Sequence, residues 1–161
     1  WAAEQRPLTT AIVTPMPVKY ELPAEPTAIA IGIDELAAAV KAETTKVLDV
    51  RPPEFYRGDK STEARPGHIP GAVNRPFQKD FAAADDGVFW RPREQLLAEF
   101  AELGLEPDAP VAVSCRTGHT ASESFFVLRY LLGYEQARWF NGSWTEWADR
   151  SDLPAAIGGG R

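Results

Sequence analysis

Val111-Ala112-Val113-Ser114-Cys115-Arg116-Thr117-Gly118-His119-Thr120-Ala121 decides how the rest of the chain is read. A short β-type run, Val111 to Ser114, delivers the chain's one cysteine into a polar loop. An apolar helix-like segment, Ser122 to Leu132, follows at once. Amides at a helix start lack internal partners and carry partial positive charge, so a loop wrapped there binds anions and stabilises a thiolate. Gly118 gives the backbone freedom to close the loop, and Thr120 is the expected N-cap of the helix. The competing interpretation is a buried structural cysteine, since unpaired cysteines are often in cores. A core cysteine has no need of Arg, Thr, Gly and His directly after it, so the loop favours a reactive thiol.

The composition suits one globular domain: 161 residues, 44% hydrophobic and 25% charged. A net charge of −6 argues against a nucleic-acid surface. One cysteine excludes an internal disulfide, and one cysteine with two histidines gives no metal-ligand spacing, so no metal is expected. No apolar run has membrane-spanning length. No signal-peptide pattern opens the sequence, so a cytoplasmic location is expected; because the sequence begins at Trp1 rather than Met, a periplasmic one stays open.

Along the chain, residues 1–30 are expected to be a proline-rich linker or extension, with Pro7, Pro15, Pro17, Pro23 and Pro26 interrupting any helix. Residues 31–155 form the predicted domain and 156–161 a flexible tail. Ile33 to Val40 is a predicted helix capped by Asp34, with Leu36, Ala39 and Val40 on one face. Lys46 to Arg51 is a predicted buried strand, and Asp49 and Arg51 are expected to form an ion pair at its end. Glu54 to Gly58 is a short helical turn, and Lys60 to Pro66 a polar loop. Gly67 to Gly71 fixes sharp turns before a short strand, Ala72 to Asn74. His68 is expected to hold that turn through the backbone. Gln78 to Arg91 is expected to be loop. Leu96, Leu97, Phe100 and Leu103 follow helical spacing from Pro92 to Gly104. Gly133 ends the helix after Cys115, and Ala137 to Phe140 is the last strand. Alternating strands and helices imply an α/β fold with a central parallel sheet covered on both faces. Cys115 and Asp49 then lie at carboxyl ends of strands, where such sheets bind ligands.

Cys115-Arg116-Thr117-Gly118-His119-Thr120 resembles the active-site loop of rhodanese sulfurtransferases. Leu48-Asp49-Val50-Arg51, Gly67-His68-Ile69-Pro70-Gly71-Ala72 and Asn141-Gly142-Ser143-Trp144 resemble three further family signatures, the last with Asn in place of Asp. The resemblance covers about residues 30 to 155 and implies the rhodanese fold. It implies that Cys115 takes sulfur from a small anionic donor, thiosulfate, as a persulfide and yields it to a thiol or cyanide, with no metal or organic cofactor. The loop residues Arg116, Thr117, Gly118, His119 and Thr120 would bind substrate, with Arg57 or Arg65 from facing loops meeting the donor. Asp49, Arg51 and His68 would be structural supports. The family places an arginine in the turn after the Asp-x-Arg segment; here Phe55 occupies part of that turn and Arg57 lies two residues on.

Arg116 favours thiosulfate, whereas Thr117 replaces an expected lysine, so a 3-mercaptopyruvate donor stays open. So does a persulfide carrier serving a protein acceptor. A phosphatase built on a related loop would need arginine at position 121, which is alanine. Finally, Trp1-Ala2-Ala3-Glu4-Gln5-Arg6-Pro7 echoes Trp147-Ala148-Asp149-Arg150-Ser151-Asp152-Leu153-Pro154. In the family such a segment closes a domain, so a second rhodanese domain is expected before Trp1, with this chain as the catalytic half of a tandem.

Overall fold

The computed structural model describes residues 1–2, 4–21, 28–84 and 87–159. Helix α1 (Ile33–Lys41) leads into β1 (Lys46–Asp49), the single turn α2 (Pro53–Tyr56) and β2 (Val73–Asn74). A 3₁₀ turn (Phe77–Asp80) precedes β3 (Phe81–Ala84) and β4 (Gly87–Trp90). Then come α3 (Arg93–Glu102), β5 (Val111–Ser114), α4 (His119–Phe126) with a π-helical continuation (Val127–Leu132), β6 (Ala137–Trp139) and α5 (Ser143–Asp149).

The four strands β2-β1-β5-β6 form one parallel sheet. Side chains alternate across it, and both faces are buried, which explains the nearly continuous apolar runs of β1 and β5. Leu48, Val50, Val111 and Val113 pack with Leu96 and Phe100 of α3 and with Phe125 and Leu128. Val47 and Ala112 face the other way, toward Leu36 of α1 and Trp144 and Trp147 of α5. The register sets Asp49 beside Ser114 and Asn74, so Cys115 leaves the sheet at its carboxyl edge next to the Asp49 end. Gly133, at φ +87°, ends the π-helical turn as a left-handed C-cap.

Several local expectations need correction. Asp34 does not cap α1: Gly32 holds that position without a side-chain cap, and Asp34 pairs with Arg150 at 2.9 Å. The stretch from Gln78 to Arg91 is not loop. The antiparallel pair β3–β4 occupies most of it, with Phe81 stacked on Trp90 at 4.7 Å. The signal was present in Asp86-Gly87 followed by Val88, Phe89 and Trp90.

At the carboxy end, Ala156 exchanges two backbone hydrogen bonds with His68, each 2.9 Å, and the Gly158 amide donates to the Arg57 carbonyl. These bonds tie down a segment expected to be loose; positions 160 and 161 lie outside the described residues. At the other end, Pro7, Pro15 and Pro17 sit in a stretch without helix or strand, with Ile12, Met16 and Val18 exposed. Pro23 and Pro26 lie outside the described residues. Residues 29–31 join the free edge of β6 through the Ile31 amide to the Trp139 carbonyl and the Trp139 amide to the Ile29 carbonyl. Among the described residues no helix is long and apolar enough to cross a membrane.

Candidate active site

Strand β5 ends at Ser114, and Cys115 follows as a buried, unpaired thiol, 2% exposed. Three other elements shape the loop after it. The amide of Trp144 donates to the Cys115 carbonyl at 3.0 Å, and the amide and hydroxyl of Thr145 both donate to the Arg116 carbonyl at 2.9 Å. The indole of Trp139 and the amide of Ser122 donate to the Gly118 carbonyl at 2.9 and 3.0 Å. Thus the carbonyls of residues 115 and 116 are strapped onto the start of α5, and that of residue 118 onto β6 and α4. Among the described residues the peptide bonds are all trans, so in this loop each N–H points away from the C=O of the same peptide unit. The amides of Arg116, Thr117 and His119 therefore turn to the opposite side from those straps. The first-turn amides of α4, which a helix leaves unpaired, add to them. Backbone donors of this kind, on a loop that opens a helix, are suited to an anion.

Gly118 is where only glycine fits. Its φ is +81°, and a Cβ there would lie 2.2 Å from the Asn141 carbonyl oxygen. It is also the N-cap of α4, which begins at His119. Thr120 is therefore not the cap but a residue of the first turn. Arg116, Thr117 and His119 are exposed around the buried thiol.

Ser143 was not singled out by sequence reasoning. Its hydroxyl accepts the Cys115 amide at 3.0 Å, donates to the Phe140 carbonyl at 2.8 Å, and lies 4.0 Å from Cys115 Sγ. Ser143 is fully buried and held at φ +53°, a strained conformation for a residue with a Cβ. The signal for it was its place in the Asn-Gly-Ser-Trp motif.

Behind the loop lies a buried ion pair. Arg51 Nη2 is 2.6 Å from Asp49 Oδ2 and also donates to the Gly67 carbonyl at 2.8 Å. Its guanidinium sits 5.1 Å over the Trp144 ring. Asp49 and Arg51 thus reach the cysteine through Trp144, whose amide holds Cys115. His68 stacks on Tyr56 with ring centroids 3.7 Å apart and places Nδ1 2.7 Å from the Tyr56 carbonyl. A carbonyl only accepts, so Nδ1 carries the hydrogen. Burial pushes the His68 pKa below the ordinary imidazole value, against the opposing pull of the Tyr56 carbonyl and Asp49.

Two arginines expected at the loop are placed elsewhere. Arg65 donates to the carbonyls of Trp147, Ala148, Arg150 and Leu153 at 2.8 to 3.0 Å. It closes the carboxy end of α5, whose opposite end holds Cys115, because four orphan carbonyls there outcompete an open site. Arg57 pairs with Asp59 at 2.8 Å on the surface. Of Arg57, Arg65 and Arg116, only Arg116 lines the cleft of about 110 Å³ whose wall also holds Arg51, Pro52, Phe55, Thr62, Glu63 and Trp144. Cys115 itself lines neither this cleft nor a larger space of about 430 Å³ walled in part by Glu35, Arg129 and Arg138. Among the described residues no cluster of His, Cys, Asp or Glu is arranged to hold a metal.

Glu123 in α4 is a second feature that sequence reasoning missed. The Ser124 hydroxyl lies 2.7 Å from Asp80 and 3.1 Å from Glu123, and Asp80 pairs with Arg75. Burial, reinforced by the Asp80 charge, pushes the Glu123 carboxyl up to about 8.

The profile of the rhodanese-like domain family matches residues 32–150. The sulfur carrier protein TtuD of Thermus thermophilus is 39% identical over 98% of this chain and 58% of its own length. A putative thiosulfate sulfurtransferase of Mycobacterium leprae is 37% identical over 98% and 58%. The thiosulfate sulfurtransferase of Azotobacter vinelandii is 35% identical over 98% and 56%. The chain thus spans little more than half the length of these relatives. Among solved structures, the anaerobic ergothioneine biosynthesis enzyme of Chlorobium limicola superposes with a TM-score of 0.70 at 24% identity, over 83% of this chain and 33% of that one. That likeness concerns the fold alone.

Proposed function

We propose that this chain, which belongs to the rhodanese-like domain family, moves sulfane sulfur from thiosulfate to a thiol or cyanide through a persulfide on Cys115. The observation that carries this reading is the strapped loop: three carbonyls held outward, and the amides between them turned the other way around a buried thiol. In the first half-reaction the Cys115 thiolate attacks the outer sulfur of thiosulfate. The S–S bond of the donor breaks, and sulfite leaves with the bonding pair. The negative charge stays on the terminal sulfur of the new persulfide, where the loop amides and the start of α4 stabilise it. In the second, cyanide or a thiolate takes that outer sulfur and the thiolate returns. Arg116 at the cleft is the donor-binding cation. Thr117, Gly118, His119 and Thr120 build the cradle, while Asp49, Arg51 and His68 hold it in place from behind.

A persulfide carrier delivering to a protein acceptor uses the same residues; the 39% identity to a named sulfur carrier supports this second reading. A 3-mercaptopyruvate donor belongs with the same proposals, as does placement in the cytoplasm, where reducing conditions keep a lone thiol competent. The tandem organisation is also proposed. The Trp1 indole donates to the Pro7 carbonyl at 3.0 Å, as the Trp147 indole donates to the Pro154 carbonyl at 2.8 Å. The echo in sequence is thus an echo in local structure, and it supports a preceding domain that closes with the same turn.

Intact-mass measurement after incubation with thiosulfate tests the central step. One added sulfur is expected on the wild type, removed by cyanide, and none on Cys115→Ser. Retained cyanide-dependent thiocyanate formation in Cys115→Ser would overturn the assignment.

A further inference from the structure

The charges at the cleft mouth are arranged unexpectedly for a site that admits a dianion. Both facing-loop arginines that the sequence offers to the donor already have an internal partner: Arg57 is held by Asp59 and Arg65 by four carbonyls. Arg51, a structural support, is held by Asp49. Arg116, the cation nearest the thiol in sequence, has its guanidinium 3.6 Å from Glu63 and 3.4 Å from the Thr62 hydroxyl. The rest of the wall is Pro52, Phe55 and Trp144, with Ser61 and the Asp49-paired Arg51.

The two partners of the Arg116 pair are not equivalent. The Glu63 side chain is only 13% exposed, against 57% for Arg116. Glu63 is also the better fixed: its carboxylate accepts the Thr62 hydroxyl at 3.0 Å, and its amide donates to the Ser61 hydroxyl at 3.1 Å. Arg116 is the exposed arm of the pair and Glu63 its more buried anchor. A small dianion that seats on Arg116 must displace that anchor and then sit within a few ångströms of its charge. A donor that presents its sulfur without net charge does neither.

We infer that Glu63 is a specificity-determining residue, which restrains Arg116 and disfavours dianionic donors relative to uncharged or singly charged persulfides. This rests on the sulfur-transfer reading above. An exposed pair in water is weak, but a partly buried carboxylate facing a doubly charged ligand is less screened. Neutralising Glu63 should therefore tighten thiosulfate binding roughly 5–20-fold.

The test separates binding from chemistry. Thiosulfate is titrated calorimetrically into Cys115→Ser and into Cys115→Ser/Glu63→Gln. The double variant should bind about 5–20-fold more tightly, and Glu63→Ala should move the affinity in the same direction. With Cys115 present, Glu63→Gln should lower the thiosulfate KM by a similar factor. Its kcat should stay within about twofold, and its KM for a singly charged alkyl persulfide should fall less than that for thiosulfate. Unchanged or weaker thiosulfate binding in both folded variants would overturn the role of Glu63. If thiosulfate binding tightens but the wild type gains no sulfur by mass, Glu63 still acts on the dianion and only the transfer reading falls.

Discussion

Replacing Ser143 by alanine removes one hydroxyl that serves two buried backbone groups. The Cys115 amide loses its acceptor and the Phe140 carbonyl loses a donor, at 3.0 and 2.8 Å respectively. Ser143, Cys115 and Phe140 are all buried, so water does not easily replace the lost partner. A buried polar group left unpaired costs about 1–3 kcal/mol, and the carbonyl, with a second lone pair, lies at the low end. The sum is roughly 2–4 kcal/mol. For a domain of this size each kcal/mol moves Tm by about 2–4 °C, which predicts a drop of about 4–16 °C. Ser143→Gly separates the hydroxyl from the backbone. It loses the same hydrogen bonds, but glycine tolerates φ +53° without the Cβ penalty. Ser143→Gly should therefore melt above Ser143→Ala, by about 1 kcal/mol in stability. Thermal melts followed by circular dichroism give the order, and sulfuration rates by intact mass show whether the loop still holds the thiol. Ser143→Ala melting within about 2 °C of wild type, or above Ser143→Gly, would refute the reasoning.

Gly118→Ala should cost more: about 1–2 kcal/mol for φ +81° and about 1–3 for overpacking against Asn141. The loop shift should slow sulfuration of Cys115 on the order of a hundredfold; a wild-type rate would place the loop elsewhere. Glu123→Gln tests the buried acid in α4. Its folded pKa of about 8 exceeds the ordinary 4.5, so the folded state binds the extra proton. The stability this gives is full below about pH 4.5 and is lost as pH rises toward 8. The unscreened bound of about 5 kcal/mol falls to about 1–2 for this half-buried group. Glu123→Gln should match wild type at pH 5 and melt several degrees higher at pH 8.5; equal melts at both would show that the acid is ionised throughout.

Much of the sheet was legible because its signals are local. Val47, Leu48 and Val50, and likewise Val111 to Val113, are apolar on both faces, and only a central parallel strand buries both. The glycines at 104, 118 and 133 sit where the chain adopts left-handed backbone, so the breaks they imply are where helices start or stop. The hairpin at Phe81 to Trp90 was missed because its apolar residues are half exposed and its alternation is short. The cap of α1 was misjudged because Asp34 has a tertiary partner, Arg150, from far along the chain. Arginines were the least legible residues. Nothing within a few positions of Arg65 tells that four carbonyls of the closing helix await it, or that Asp59 claims Arg57.

The same asymmetry explains the site. Cys115, Gly118 and the helix start are contiguous, so a candidate site could be read from one stretch. What gives that stretch its direction comes from residues 139 to 145, through bonds to the carbonyls of residues 115, 116 and 118 and to the Cys115 amide. Strand β5 and helix α4 alone would present a cysteine after a strand, with no reason for its neighbouring amides to face one way. The turn at Asn141 and Gly142 supplies that reason. It brings the start of α5 against the loop, and its own carbonyl at Asn141 leaves no room for a Cβ at residue 118. The closing helix is therefore a wall of the proposed anion cradle as well as a lid on the core. Its tryptophans serve both ends of that arrangement: Trp144 holds Cys115 through its amide and packs beneath Arg51, and Trp147 secures the chain end through Pro154.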